Sequence, residues 1–191
     1  VWFNGPAHPN QGYAISYTPM MYDIAAIQWM YGAQETNVGD TVYDSFDPAT
    51  PFAMAIWDSG GVDTIDLSTF IEDCDLSLVS GTSSTVVCET GNTGWTTGQM
   101  VNNLSIAFGT TVENIIAGSG DDTIVGNNVD NVIFGGTGAD TITTGDGADT
   151  VVIRAGDGGN AIADADKITD FTDGSDILGL DDGLLFSNLT I

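Results

Sequence analysis

The chain has 191 residues, enough for one domain with a substantial core or for two small ones. Its 27 acidic residues against 2 basic ones give a formal net charge of −25. This excludes a nucleic-acid-binding protein and argues against docking on an anionic membrane, because both partners are bound through cationic side chains. Hydrophobic residues make up 42% of the chain, so it is not an acidic disordered tail, yet no apolar run approaches the ~20 residues that span a bilayer.

The first predicted element is a helix over residues 19–32, which follows a loop rich in Pro and Gly over residues 1–18. Apolar residues recur at spacings of three and four, and Gly32 supplies the stop. We expect aromatic residues such as Trp29 to pack between this helix and the rest of the chain. The apolar positions of the helix are Met20, Ile24, Ile27 and Tyr31.

After Gly32, short β-branched runs alternate with Gly, Asp, Asn and Thr, which predicts an all-β remainder. Cys74 and Cys88 lie 14 positions apart in a segment rich in Ser, Thr and Gly, with no His nearby, so a zinc site is not indicated. We expect a disulfide that closes a hairpin-like loop, which would imply an oxidising compartment. The alternative is two unpaired, buried thiols.

A nine-residue repeat runs from about residue 109 to residue 152. Five aliphatic residues occupy its eighth position, and an isolated copy of its grammar, WDSGGVDTID, begins at Trp57. The repeat resembles the nonapeptide of calcium-binding parallel β-helices, so we predict a mainly β fold, a parallel β-roll with a short N-terminal helical segment. The successive blocks are FGTTVENII, AGSGDDTIV, GNNVDNVIF, GGTGADTIT and TGDGADTVV.

Each block divides into a six-residue turn and a three-residue strand. If two blocks make one coil, turns 18 residues apart stack at a spacing of about 4.8 Å, and one Ca²⁺ ion can reach oxygens of both. Asp122 and Asp140 are then expected to share one ion, and Asn131 and Asp149 to flank a weaker one on the opposite side. The backbone oxygens expected to complete these two sites belong to Gly118, Gly120, Asn127, Val129, Gly135 and Thr137.

Aspartates outside this nine-residue spacing have a simpler interpretation. Asp44, Asp47 and Asp181 are predicted to be solvated turn residues rather than metal ligands. The whole chain has 23 Asp and 25 Gly, and within the nine-residue spacing the turn carboxylates repel one another unless a cation lies between them. The predicted cofactor is therefore Ca²⁺, with several ions per chain.

The segments YDIAAIQWMYGAQETNVGDTVYDSF and AIWDSGGVDTIDLS, followed by the nonapeptides, resemble the C-terminal part of serralysin-type secreted zinc metalloproteases. The closing DADKITDFTDGSDILGLDD is also similar to their segment after the repeats. The resemblance covers roughly residues 13–182, and residues 70–105 match poorly. It implies a secreted, extracellular protein and further calcium ligands around the isolated turn. These implied ligands are Asn37, Gly39, Thr41, Asp58, Gly60, Gly61, Asp63, Thr111 and Glu113.

The catalytic zinc motif of that family is absent from these residues. The motif needs three histidines, and this chain has only His8, in a Pro-rich loop. We therefore expect the chain alone to be inactive, and Zn²⁺ to belong only to a missing catalytic part of a parent zinc metalloendopeptidase. Because the sequence begins at Val1 rather than Met, we expect a processed product or part of a longer protein.

Two functions remain open. The first is the calcium-binding β-roll of a secreted serralysin-like protease, which supports export and calcium-triggered folding of a catalytic domain. The alternative is a non-enzymatic extracellular structural or adhesive module that contacts an extracellular surface. In either case we predict residues 1–32 to be the tail of a catalytic-domain-like segment. Residues 33–191 are predicted to be the β-roll domain, with an insertion around 70–105.

Overall fold

The computed structural model describes residues 18–88, 100–157, 161, 164–185 and 187. Residues 1–17 of the predicted loop over 1–18, with His8, and residues 89–99 of the predicted insertion lie outside the described residues. Within the described ranges, no helix has both the length and the apolar character needed to cross a membrane.

The described residues form one helix, α1 (Met21–Tyr31), and thirteen strands of two to four residues each. Short strands between turns are what the nine-residue repeat predicted. In chain order the strands are β1 (Val42–Tyr43), β2 (Met54–Ile56), β3 (Thr64–Asp66), β4 (Asp75–Ser77), β5 (Ser83–Ser84), β6 (Leu104–Ile106), β7 (Asn114–Ile116), β8 (Thr123–Val125), β9 (Val132–Phe134), β10 (Thr141–Thr143), β11 (Thr150–Ile153), β12 (Lys167–Ile168) and β13 (Ile177–Leu180).

Two parallel sheets carry the repeats. One has the strand order β1-β3-β7-β9-β11-β13, and the other has the order β12-β10-β8-β4. Successive strands of the repeat alternate between the two sheets, and residues 18 apart pair, as in Asn114 with Val132 and Thr123 with Thr141. The predicted parallel β-roll with two blocks per coil is therefore confirmed.

The core of the roll is the column of residues at the eighth position of each block. Each of these side chains is at most 1% exposed, because the middle residue of a three-residue strand points inward while its neighbours point out. The column continues into the earlier coils through Ile65 and Leu76. Its members in the repeats are Ile115, Ile124, Ile133, Ile142 and Val151.

Helix α1 is confirmed, but of the apolar positions at the predicted spacing only Ile24 is fully buried. Met21 and Ile24 are the buried residues of the helix, and they pack against Ala55 of β2 and Ala107. The half-buried Gln28 extends the same stripe at helical spacing, and its Nε2 donates to the backbone oxygen of Phe108. The small alanines let the helix approach the sheet along this line.

The helix therefore turns much of its apolar surface outward. Trp29 is 90% exposed and Tyr31 is 75% exposed, so the expected packing of these aromatics between helix and roll is wrong for both. Tyr22 and Met30 are also exposed, and Ile27 is only partly covered. Because the sequence of α1 is apolar all round, its periodicity alone could not distinguish the face that packs.

The segment between the two cysteines forms the predicted hairpin without the predicted disulfide. Asp75 and Thr85 form an antiparallel bridge, and both cysteines are free. This pairing sets Val86, not Cys88, opposite Cys74, so the two cysteines are offset diagonally by two residues. Diagonal neighbours are roughly 7–8 Å apart, which is beyond the usual reach of a disulfide. The Cys74 Sγ instead donates to the Glu72 oxygen, and the Cys88 Sγ donates to the Thr50 oxygen.

Candidate metal centres

Stacked turns of the roll bring backbone oxygens of one coil against the turn of the next. The Thr137 N–H donates to the Gly118 oxygen at 3.2 Å, and the Asp146 N–H donates to the Asn127 oxygen at 3.1 Å. The approach is so close that a Cβ at Gly136 would lie 1.8 Å from the Gly118 oxygen. At both edges of the roll, backbone oxygens of one turn therefore lie against the backbone of the next turn.

This close approach gives the first testable prediction. Gly136→Ala is expected to destabilise the protein more than Gly156→Ala, by about 1–3 kcal/mol. Both glycines have nearly the same positive φ, 97° and 99°, so both variants carry similar backbone strain. Among the described residues, a Cβ at Gly136 would meet backbone atoms, whereas a Cβ at Gly156 would have no atom within 4 Å. Urea unfolding of the two variants in calcium measures the difference, and equal midpoints would contradict the stacking.

Buried carboxylates link the coils along one edge. The Asp122 N–H donates to Asp140 Oδ1 at 2.9 Å, and Asp122 Oδ1 accepts from the Cys74 N–H at 2.8 Å. Asp166 continues the ladder by accepting from the Asp140 N–H. The structure therefore brings together Asp122 and Asp140 as the repeat predicted, but it also adds Asp166.

The opposite edge has the same arrangement. The Asn131 N–H donates to Asp149 Oδ1 at 2.8 Å, and the Asp149 N–H donates to Asp176 Oδ1 at 3.2 Å. Asp176 and Asp166 were missed because they lie 27 and 26 residues after their partners rather than 18. The longer segment between them hides the register from a count of nine.

A second, outer set of aspartates caps the N–H groups of neighbouring turns. Asp121 accepts from the Ala139 N–H and Asp130 from the Ala148 N–H, each at 2.9 Å and each 18 residues away. Sequence reasoning missed these residues, although both stand at the fifth position of their blocks. Asp73 and Asp40 do the same for the earlier coils.

The isolated turn brings the residues implied by resemblance into one place. The Thr41 N–H donates to Asp63 Oδ1 at 2.9 Å, and Glu113 Oε2 accepts from the Asp63 N–H at 2.8 Å. A Cβ at Gly61 would lie 2.5 Å from the carbonyl carbon of Gly39. Thr111, by contrast, is exposed.

Asp58, in the same turn, is held by a tyrosine that sequence reasoning did not single out. Its Oδ2 accepts from the Tyr43 hydroxyl at 2.6 Å, and its Oδ1 accepts from the Gly60 N–H. Asn37, which has a left-handed φ of 48°, donates its side-chain amide to the same hydroxyl. Burial and the Asp58 carboxylate raise the pKa of Tyr43, so its hydroxyl remains a donor at neutral pH.

Three buried carboxylate oxygens have no hydrogen-bond partner among the described residues: the Oδ2 atoms of Asp63, Asp140 and Asp149. A buried, unpaired carboxylate oxygen is costly unless a cation or proton satisfies it. In the described ranges no three side chains of His, Cys, Asp or Glu converge to hold a metal. An ion at these oxygens would therefore take most of its ligands from the turn carbonyls, which suits a hard cation such as Ca²⁺.

The predicted turn residues outside the spacing behave differently from these three. Asp47 accepts from the Ala49 N–H and the Thr50 hydroxyl within its own turn. Asp181 is paired with Arg154 at 3.2 Å on the surface. Both residues have partners of their own, so neither needs a cation from solution.

The proton affinities of the buried carboxylates are raised in the same places. Burial, with the charge of Asp140 adding to it, raises the pKa of Asp122 to about 7. Burial likewise raises the pKa values of Asp140 and Asp63 to about 6, and it raises the pKa of Asp149. Without a metal, these buried carboxyls therefore keep their protons to a higher pH than an ordinary aspartate does.

The stability of the metal-free protein and that of the calcium-saturated protein are therefore expected to depend on pH with opposite signs. In EGTA the folded protein binds more protons than the unfolded one, because an ordinary carboxyl titrates near 4. The stability that these protonated carboxyls contribute is fully present below about pH 4, and it is lost as the pH rises through about 6–7. We expect metal-free protein to melt at a higher temperature at pH 5 than at pH 8, and calcium-saturated protein to show the reverse.

The test variant is Asp140→Asn, which removes a charge from a buried position. Its matched control is Asp146→Asn, which removes the same charge from an exposed position. The first variant is expected to flatten the pH dependence of the metal-free protein more than the second. Identical melting profiles for the two variants would show that general charge repulsion, not the buried site, causes the effect.

Residues 22–188 match the protein family described as Peptidase M10 serralysin C terminal. The chain belongs to this family. The resemblance inferred from the helix, the isolated turn and the nonapeptides is thereby confirmed. The family match covers α1 from its second residue, all thirteen strands of the described residues and both edges of the roll where the unpaired carboxylates lie.

Individual relatives match about half of this serralysin C-terminal chain. Serralysin G of Dickeya chrysanthemi is 40% identical over 113 residues, which is 53% of this chain and 22% of the relative. Metalloprotease AprA of Pseudomonas entomophila is 37% identical over 116 residues, 54% of this chain and 22% of the relative. Serralysin of Proteus mirabilis is 36% identical over 121 residues, and this match covers 57% of this chain and 22% of the relative. The chain thus spans little more than a fifth of the length of each relative.

Proposed function

We propose that this chain is the calcium-binding β-roll of a secreted serralysin-like zinc metalloprotease, and that Ca²⁺ binding outside the cell completes its folding. The observation that carries the proposal is the set of buried, unpaired Oδ2 atoms of Asp63, Asp140 and Asp149 in turns that stack closely on the backbone of their neighbours. Family membership supports the protease context.

Charge supports a cation-dependent roll. Two carboxylates about 5 Å apart repel by about 1 kcal/mol in water and by several times that at an effective dielectric near 20. The chain has 27 acidic residues and only 2 basic ones to offset this repulsion. Bound Ca²⁺ supplies positive charge at the stacked turns, so the thin aliphatic column of the roll can remain packed.

Calcium is favoured over magnesium and zinc by the kind of ligand. Ca²⁺ accepts six to eight oxygens in variable geometry, whereas Mg²⁺ requires near-ideal octahedral geometry and Zn²⁺ prefers His and Cys. The turns of the repeats offer carbonyl, carboxylate, hydroxyl and amide oxygens, and their sequence contains neither His nor Cys. Equilibrium dialysis against radioactive calcium tests this directly. We expect several ions per chain that millimolar Mg²⁺ does not displace, and a chain that binds none would contradict the proposal.

The outer surface of α1 supports a partner domain. Tyr22, Trp29, Met30 and Tyr31 are all more than 60% exposed, and Asp23 is the only charged residue of the helix. An apolar helix of this kind is normally buried. We propose that this face packs against a catalytic domain of the parent protease, which would hold Zn²⁺ with the three-histidine motif that is absent from these 191 residues.

The alternative, a non-enzymatic extracellular module, is favoured by the hairpin of β4 and β5. This hairpin adds an antiparallel strand to an otherwise parallel roll. The coding sequence upstream of Val1 separates the two functions. A zinc motif of the form His-Glu-x-x-His-x-x-Gly-x-x-His supports the protease, and an unrelated domain or a stop supports the module.

A further inference from the structure

One step of the roll is joined by side-chain amides. Asn131 is 1% exposed, and its Nδ2 donates to the Glu113 oxygen of the preceding coil at 2.9 Å. Asn127 Nδ2 donates to the Val112 oxygen at 2.8 Å and to the Leu78 oxygen at 3.2 Å. Because carbonyl oxygens only accept hydrogen bonds, these contacts require the nitrogen of each amide to face them.

The two amides also bind each other. Asn131 Nδ2 donates to Asn127 Oδ1 at 3.1 Å, and Asn131 Oδ1 accepts from the Asn127 N–H at 2.9 Å. Asn127 Oδ1 further accepts from the Val129 N–H. The turn GNNVDN is therefore closed on itself and tied to the coil before it by hydrogen bonds within the chain.

The direction of the bond to the preceding coil is reversed relative to the aspartate steps. Asp140 and Asp149 accept from the backbone N–H of the residue 18 positions earlier. Asn131 occupies the same position of its block, but it donates to the backbone oxygen of Glu113, which is also 18 positions earlier. A carboxylate at position 131 would place an oxygen against that carbonyl oxygen.

We infer that the amides of Asn127 and Asn131 bridge these two turns directly, in the way an ion is proposed to bridge the turns of the aspartate steps. Asn131 is thus a positioning residue whose NH₂ group is required, and not a weaker version of the repeat aspartate. The sequence-based prediction of Asn131 as a ligand concerns its Oδ1, whereas the bridge concerns its Nδ2. The bridge consists of bonds within this chain and does not rest on the proposed calcium function.

The test is a set of three variants that add the same charge to the same turn. Asn131→Asp removes the donor from the buried bridge, and Asn127→Asp removes the donor from a half-buried one. Asn128→Asp is the control, because the Asn128 side chain is exposed. Melting temperatures are measured by circular dichroism in saturating calcium, and again in EGTA at pH 5.

We expect Asn131→Asp to melt at least about 5 °C below Asn128→Asp, and Asn127→Asp to fall between them, because in each variant a carbonyl oxygen loses an amide donor. In Asn131→Asp the Glu113 oxygen keeps only its longer bond, from the Val132 N–H at 3.3 Å. If Asn131 acted only as a poor ligand, Asn131→Asp would melt at or above the control, and this outcome would overturn the inference. Should Asn131→Asp not fold, Asn127→Asp against the control decides. If the melting temperature of the wild-type protein were the same with and without calcium, the proposed function would be contradicted. The ranking of the three variants would still test the bridge.

Discussion

Removing calcium at neutral pH is expected to unfold the roll over residues 109–152. In the folded roll Asp122, Asp140 and Asp149 are each at most 2% exposed, and among the described residues the Oδ2 atoms of Asp140 and Asp149 have no hydrogen-bond partner. The pKa of Asp122 is raised to about 7, so ionising the buried carboxylates at pH 8 works against the fold. The aliphatic column has only one inward side chain per strand to oppose this cost.

Far-UV circular dichroism with EGTA and with millimolar Ca²⁺ measures the change. We expect the β signal to be lost in chelator and restored by calcium, and not by the same concentration of Mg²⁺. Potassium chloride at matched ionic strength controls for simple screening of the −25 charge. A β signal that EGTA leaves unchanged at pH 8 would contradict a metal-dependent roll.

Asp140→Ala is expected to raise the calcium concentration at the folding midpoint at least about tenfold. Even groups one step removed from a metal typically cost 10- to 100-fold in affinity when they are replaced, and Asp140 presents its own unpaired Oδ2. The variant also removes the acceptor for the Asp122 N–H, so the adjacent turn loses its link. Because each coil contacts only its neighbours, the loss is expected to spread to the next coil.

Asp181→Ala is the matched control. Its carboxylate is on the surface, paired with Arg154, and outside the carboxylate ladders. Exposed pairs of this kind contribute within about 1 kcal/mol, so the midpoint is expected to stay within a few-fold of wild type. Equal midpoints for the two alanine variants would show that the nine-residue spacing does not position the ions.

The roll itself could be predicted from the sequence because its period is regular. Five aliphatics at a spacing of nine admit one simple stacking, and the pairing of Ile124 with Ile142 follows from it. Asp122, Asp140 and Asp149 could be placed at the edges for the same reason. Asp121 and Asp130 were within reach too, since they recur at the fifth position of their blocks.

Features that depend on irregular connections could not be predicted in this way. Asp166 and Asp176 continue the ladders only after a longer segment, so their register is set by packing against β10 and β11 rather than by spacing. The offset of Cys74 and Cys88 depends on which residues pair in the hairpin, and a count of 14 residues does not fix that pairing.

The buried face of α1 and the role of Asn131 could not be predicted for a different reason, because each depends on the surface that the residue meets. In α1 almost every position is apolar, so the buried stripe of Met21 and Ile24 is chosen by the small residues Ala55 and Ala107 of the surface it meets. For Asn131, the sequence shows an amide in place of a carboxylate. Only the structure shows that the Glu113 oxygen accepts a hydrogen bond from this amide.

Calcium ions are proposed to lie between stacked turns of the roll that are 18 residues apart. The most direct test is an anomalous difference map from crystals grown in calcium. We expect peaks between the turns at 117–122 and 135–140, each within about 2.3–2.6 Å of carboxylate oxygens of Asp122 or Asp140 and of turn carbonyls. A well-ordered roll with no anomalous peak between these turns would contradict the account.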